Sequence, residues 1–184
     1  MTELTTPISN EMIDTLSIGN MVYISGTIYT ARDAAHKKLA ELIEAGKKLP
    51  FDPIGQFVFY AGPAPAKPGK ASGSIGPTTA GRMDLYAPLL ISKGLKAMVG
   101  KGLRSGEVVD AIVKYRGIYF AAIGGAAALM AKCVKSSRLI AFEELGTEAI
   151  RELEVVKLPA VVAIDSRGRN LYESGRKEYS RNSN

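Results

Sequence analysis

Apolar positions along this chain recur in two different periods, and the changes of period mark out its elements. Met21 to Ile28 (MVYISGTI) is dense in β-branched residues and predicts a strand. From Ala31 to Ala45 the period lengthens. Ala35, Leu39, Leu42 and Ile43 form a stripe at helical spacing, Asp33 suits the first turn, and Gly46 sits where a left-handed cap belongs. Gln56 to Ala61 (QFVFYA) has no polar alternation, the signature of a strand buried on both faces. A helix is predicted over Arg82 to Ser92, with Leu85, Leu89 and Leu90 on one face. Ala97 to Val99 then forms a short strand that enters a Gly100-Lys101-Gly102 turn. Arg104 to Tyr115 is a third helix, followed by a strand over Ile118 to Ile123 and a small-residue helix from Gly124 to about Lys135. Leu139 to Phe142, Leu153 to Val156 and Ala160 to Ile164 read as strands, with a short helix near Thr147 to Arg151. Asp165 to Asn170 is a polar turn, and Leu171-Tyr172 begins a last short strand. Strands and helices are interleaved, which predicts an α/β or α+β architecture, a sheet with packed helices.

Between the second strand and the second helix the composition changes. Gly62 to Pro77 (GPAPAKPGKASGSIGP) excludes both helix and strand. Neither flank is large enough to stand as a domain of its own. The stretch therefore reads as a functional loop within one domain spanning residues 1–184.

The chain carries a net charge of +6, which raises a nucleic-acid reading. Half of that excess sits in residues 166–184, where a solvated basic tail is the simpler account. Residues Thr2 to Asn10 are polar and contain no apolar signal core, and the uncharged run Gly117 to Ala131 is too short to span a bilayer. A cytoplasmic protein is expected. One cysteine, Cys133, excludes an intramolecular disulfide and a cysteine-ligated cluster made by this chain alone, and one histidine, His36, makes an all-histidine metal site implausible. Cys133 lies on an alanine-rich segment and is expected to pack in the core.

Three cations stand at junctions between elements. Arg32 opens the first helix, Arg82 follows Gly76-Pro77-Thr78-Thr79-Ala80-Gly81, and Lys101 lies between two glycines. Such edges are where α/β sites collect, and three cations suit a dicarboxylate or a phosphate. No GxGxxG or P-loop pattern accompanies them, which argues against a nucleotide. Thr78 or Thr79 suits a helix N-cap. His36 lies one turn after Arg32, and Gly124-Gly125 is either a second anion nest or a close-packing device, with packing favoured.

These motifs together resemble the β subunit of two-subunit class I fumarases and L-tartrate dehydratases, and the C-terminal domain of single-chain class I fumarases. The resemblance rests on Ser25-Gly26-Thr27-Ile28 followed by Ala31-Arg32-Asp33-Ala34-Ala35-His36, on Gly76 to Asp84 (GPTTAGRMD), on Gly100-Lys101-Gly102, on Tyr119 to Gly125, and on Glu144-Leu145-Gly146 with Glu148-Ala149-Ile150. It implies a swivelling β/β/α domain. It implies a partner α subunit whose three cysteines hold a [4Fe–4S] cluster, with the active site between subunits; symmetry is then expected to double the pair to α2β2. It also implies that Arg32, Arg82 and Lys101 bind substrate carboxylates, and that Thr78 is the base for the carbon-bound proton. A lone hydroxyl is a poor base at neutral pH, so Thr78 needs nearby cations or a relay, for which His36 and Asp84 are candidates. Fumarate hydration is the favoured activity and tartrate dehydration the alternative. A non-catalytic carboxylate-binding or assembly module is the reading from another class, and the joint presence of Thr78, Arg82 and Lys101 speaks against it.

Overall fold

The computed structural model describes residues 2–122 and 127–179. Seven strands occur there: β1 (Thr2–Thr5), β2 (Met21–Thr30), β3 (Phe57–Phe59), β4 (Ala97–Gly100), β5 (Ile118–Ala121), β6 (Val134–Ala141) and β7 (Ile150–Ile164). Six α-helices accompany them: α1 (Asn10–Thr15), α2 (Asp33–Glu44), α3 (Ala87–Ser92), α4 (Gly106–Tyr115), α5 (Ala127–Cys133) and α6 (Leu171–Tyr179). The architecture is mixed α/β with a central sheet.

Strands β1 to β5 run parallel, and β7 runs antiparallel to β2, β5 and β6. Because β7 pairs with both β2 and β5, the ladder closes into a ring, β2–β3–β4–β5–β7. One edge of β2 is occupied along its length by β7, so β1 and β3 share the other edge, at Val22–Ser25 and Tyr29–Thr30 respectively. The central parallel strands are covered on both sides. Phe57, Phe59, Ala97, Val99, Ile118 and Phe120 belong to a core with Leu4, Ile24, Leu153 and Val162. Val58, Tyr60, Met98 and Tyr119 face a second core made with Ala35, Leu39, Leu90, Val108 and Ile112 from α2, α3 and α4. That two-sided burial is why QFVFYA lacks alternation.

Several predicted elements take another form. The expected helix over 82–92 divides into a 3₁₀ turn, Ala80–Met83, and α3. Pro88 is the reason: it occupies the first turn of α3, where its missing N–H costs nothing, and it cannot lie inside a longer helix. The two strands expected at 153–156 and 160–164 are one strand, β7, interrupted by Lys157 at φ 54°. There the β2–β7 register shifts between Ile24 and Gly26. The helix expected near 147–151 is a 3₁₀ run over Glu143–Glu148 that gives way to strand at Ile150. The small-residue helix ends at Cys133, and β6 begins at once. Leu171-Tyr172 starts α6 rather than a strand, because the Asn170 side chain accepts the Tyr172 N–H at 3.1 Å and the Asn170 carbonyl accepts from Glu173 and Ser174. β1 and α1 lie in sequence that gives little periodic signal. Ser9 caps α1 by accepting from Met12 N–H at 3.3 Å. Arg167 and Arg169 are not a free basic tail. Arg167 donates to the Asp14 carbonyl at 3.1 Å, and Arg169 pairs with buried Asp165 at 2.7 Å. The Gly124-Gly125 pair lies outside the described residues.

Candidate functional site

In a sheet with parallel strands, ligands gather beyond the carboxyl ends of those strands. Here the chain leaving β2 carries Arg32 and Asp33, the chain leaving β4 carries Lys101, and the chain leaving β3 leads to Ala61 and the Gly/Pro loop. The far end of that loop returns to the same edge. Pro77 bridges Ala61, the Thr78 N–H donates to the Tyr60 carbonyl at 2.6 Å, and Thr79 forms a parallel bridge with Lys101. The Lys101 N–H donates to the Thr78 carbonyl at 3.3 Å, and the Ala80 N–H donates to the Lys101 carbonyl at 2.8 Å. Residues far apart in sequence thus meet backbone to backbone. Thr78 is half-buried and its hydroxyl makes no hydrogen bond among the described residues, while Thr79 is exposed. Neither threonine caps a helix through its side chain: the 3₁₀ turn has no side-chain cap.

Arg82 extends from that 3₁₀ turn to Asp33 on α2, with Nη2 to Oδ2 at 2.8 Å. This ion pair ties GPTTAGRMD to the Arg32-Asp33 corner. The Arg82 side chain keeps about half its surface, 49%, open to solvent. Its remaining donors are available to another anion. Lys101 is exposed and its ammonium has no carboxylate partner among the described residues. Arg32 behaves differently. Its guanidinium pairs with Glu148 at 2.9 Å, and Glu148 also accepts the Ala34 N–H at 3.3 Å. Arg32 Nε and Asp33 Oδ1 are both buried without a hydrogen-bond partner. The structure therefore joins Thr78 and Thr79 to Lys101 through the backbone, pairs Arg82 with Asp33, and pairs Arg32 with Glu148.

His36 is fully buried. Its Nδ1 lies 2.9 Å from the Arg32 carbonyl, which can only accept, so Nδ1 carries the proton. Its Nε2 faces inward without a partner, and its ring meets Tyr60 edge-on at 5.2 Å. Burial pulls the imidazole pKa down to about 4, against the opposing pull of the Arg32 carbonyl. At neutral pH His36 is a neutral group that fixes the start of α2. Asp84 is likewise engaged: Oδ1 accepts from Arg104 Nε at 2.7 Å and Oδ2 from the Ser105 N–H at 2.5 Å. His36 Nδ1 and both Asp84 oxygens are thus committed to structural bonds, and neither residue hydrogen-bonds Thr78 among the described residues.

Sequence reading missed Glu148, Tyr60, Tyr119 and Arg104 as parts of this region. Glu148 sits in the Glu144–Ile150 motif but gives no sign of its ion pair across more than a hundred residues. Arg104 lies in GKGLRS, where its burial, with 0% side-chain exposure, has no local signal.

No group of three or more His, Cys, Asp or Glu side chains able to hold a metal occurs among the described residues. Cys133 is part-buried, its Sγ donates to the Leu129 and Lys157 carbonyls at 3.8 and 3.6 Å, and burial pushes its pKa up. A single protonated thiol hydrogen-bonded to backbone does not fit a four-iron cluster. No helix among the described residues is long and apolar enough to cross a membrane.

An α/β sheet with hydroxyl, guanidinium and ammonium groups at one edge has the chemistry that suits a polyanion. The family comparison is more specific. The sequence profile of the fumarase C-terminus matches residues 1–175, and the chain belongs to that family. It is 45% identical over 158 residues to the anaerobic class I fumarate hydratase of Escherichia coli, across 85% of this chain and 29% of that protein. It is 44% identical over 157 residues to fumarate hydratase 2 of Leishmania major, across 84% of this chain and 28% of that protein. The chain thus spans less than a third of the fumarate hydratases it matches. A Methanocaldococcus jannaschii protein, provisionally named L(+)-tartrate dehydratase subunit beta, is 41% identical over 169 residues, 89% of this chain and 87% of that subunit.

Proposed function

We propose that this chain is the β subunit of an iron–sulfur hydro-lyase that interconverts fumarate and L-malate, acting in one site with an α subunit. The observation that carries the reading is the Thr79–Lys101 bridge together with the Arg82–Asp33 pair, which gather the motif residues at the open carboxyl edge of parallel strands. Arg82 and Lys101 bind the two ends of the dicarboxylate, with Arg32 supplying further positive charge. Removal of a proton beside a carboxylate builds a dianion, and fixed cations stabilise that charge more in the transition state than in the ground state. Thr78 takes the carbon-bound proton. Its hydroxyl needs neighbouring cations to lower its pKa, and the bonds that His36 Nδ1 and Asp84 make elsewhere favour cations over a relay through them.

The cluster belongs to the partner in this reading, because Cys133 cannot hold it. The α subunit would also close the open face, and twofold symmetry would double the pair to α2β2. The length match to the archaeal tartrate dehydratase subunit favours a second reading, dehydration of L-tartrate by the same arrangement. The test is anaerobic assay of the co-expressed pair with fumarate, L-malate and L-tartrate. Turnover of fumarate and malate is expected. Turnover of tartrate alone would move the assignment to the second reading, and turnover of none would defeat both.

A further inference from the structure

Arg104 carries a charge with no place in the proposed chemistry. Its side chain has 0% exposure, and among the described residues one carboxylate, Asp84, meets it, at 2.7 Å. Its Nη1 has the weak acceptor Met98 Sδ at 3.5 Å, and its Nη2 has no partner. The guanidinium lies over two rings, 5.2 Å from the centroid of Tyr60 and 5.0 Å from that of Tyr119. Tyr60 Oη is also buried and unpartnered. A buried cation with incomplete hydrogen bonding is poor economy for stability alone, where an apolar side chain of similar volume does as well or better. The contacts show what else it does.

Three neighbours of Arg104 lead to three different site residues. Tyr60 accepts the Thr78 N–H at 2.6 Å through its carbonyl. Asp84 ends the 3₁₀ turn that bears Arg82, and its own N–H donates to the Gly81 carbonyl. Tyr119 Oη donates to the Gly102 carbonyl at 3.0 Å, next to Lys101. Gly102 holds φ at +86°, so this turn has a conformation that a side chain would strain. Arg104 meets all three supports.

We propose that Arg104 is a positioning residue: its buried guanidinium, through Tyr60, Asp84 and Tyr119, sets the relative placement of Thr78, Arg82 and Lys101. The inference rests on the reading of those three as substrate-facing groups. It requires that loosening Arg104 disorder the site without unfolding the sheet. A misplacement of about 1 Å in such an array lowers turnover on the order of 100-fold.

The test uses the full chain co-expressed with its α subunit. In Arg104→Gln, backbone amide exchange should accelerate at least about tenfold over residues 76–84 and 100–106, whose protecting bonds lie at Thr78, Ala80 and Lys101, and stay unchanged along β2 and β7. In the same complex kcat/KM for fumarate and L-malate should fall on the order of 100-fold per folded, cluster-bearing complex, with Arg104→Lys recovering part of it. Uniform acceleration of exchange, or wild-type kcat/KM per folded complex, would overturn the proposal. Should Arg104→Gln not accumulate, Tyr119→Phe removes only the hydroxyl on Gly102. It should raise KM about three- to tenfold with kcat nearly kept, and an unchanged KM would count against the proposal. A wild-type complex inactive on every dicarboxylate would defeat the functional reading, and the exchange result then decides Arg104 by itself.

Discussion

Thr78 and Thr79 are neighbours with the same side chain and separate fates. Thr78 is half-buried at the carboxyl edge, and Thr79 is exposed and caps nothing. Thr78→Ala in the assembled enzyme should lower kcat by roughly 10²-fold or more with KM little changed, as expected for a group that moves a proton. Thr79→Ala should leave kcat intact and cost well under the ~1 kcal/mol of a lost cap, because no cap exists to lose. Steady-state kinetics and denaturant melts of both variants check the pair. Arg82→Ala should act mainly on KM, on the order of 10²-fold, and Arg82→Lys should rescue only partly, since a point charge does not reproduce the fork. His36 makes a separate prediction about pH. Its folded pKa, about 4, lies below the ordinary value of 6.5, so the unfolded chain takes up a proton before the folded chain does. Stability from this residue is full above pH 6.5 and falls progressively as pH drops towards 4, by on the order of 3 kcal/mol. His36→Gln should flatten that part of the curve relative to the wild type in urea melts across the same range. The charges of Arg32, Arg82 and Lys101 were legible because each stands beside Gly, Pro or a helix start. Their counter-ions were not, because Asp33 and Glu148 find them through the fold and not through spacing.

At the scale of elements, legibility followed burial. β2, α2, β3, β4, α4 and β5 are read from apolar period alone, and each is packed on a core that enforces it. The misread elements are those decided by single backbone events. Pro88 splits one helix, Lys157 bends one strand, and Asn170 turns a short strand into α6. The Gly/Pro loop gave no periodic signal, yet its end delivers Thr78 to Lys101. One glycine at its start tests whether the loop also positions Arg32. A Cβ on Gly62 would lie 2.6 Å from the Thr147 carbonyl oxygen and 3.3 Å from Arg32 Cδ. Gly62→Ala should therefore destabilise by about 1–3 kcal/mol and displace Arg32 from Glu148. Thermal melts should show the first effect, and a raised KM in the complex the second.

At the scale of the whole molecule, the proposed function makes this chain one part of a site shared with a partner. Arg82 and Lys101 are exposed, and large exposed apolar side chains follow them closely in sequence, Leu85 at 81% exposure and Leu103 at 51%. Apolar surface beside an unfinished polar site is the pattern of a face that meets another chain. Purified alone under anaerobic, iron-replete conditions, this chain should show no iron–sulfur absorbance and no hydratase activity. A cluster on the isolated chain would contradict the division of labour. The central claim, that Thr78 of this chain takes the carbon-bound proton, is tested most directly by solvent deuterium exchange. L-malate is incubated in D₂O with the α–β complex, and exchange of its C3 proton is followed in wild type and in Thr78→Ala of equal cluster content. The account predicts exchange in the wild type and a rate at least ~100-fold lower in the variant. A Thr78→Ala complex that exchanges the C3 proton at the wild-type rate would contradict it.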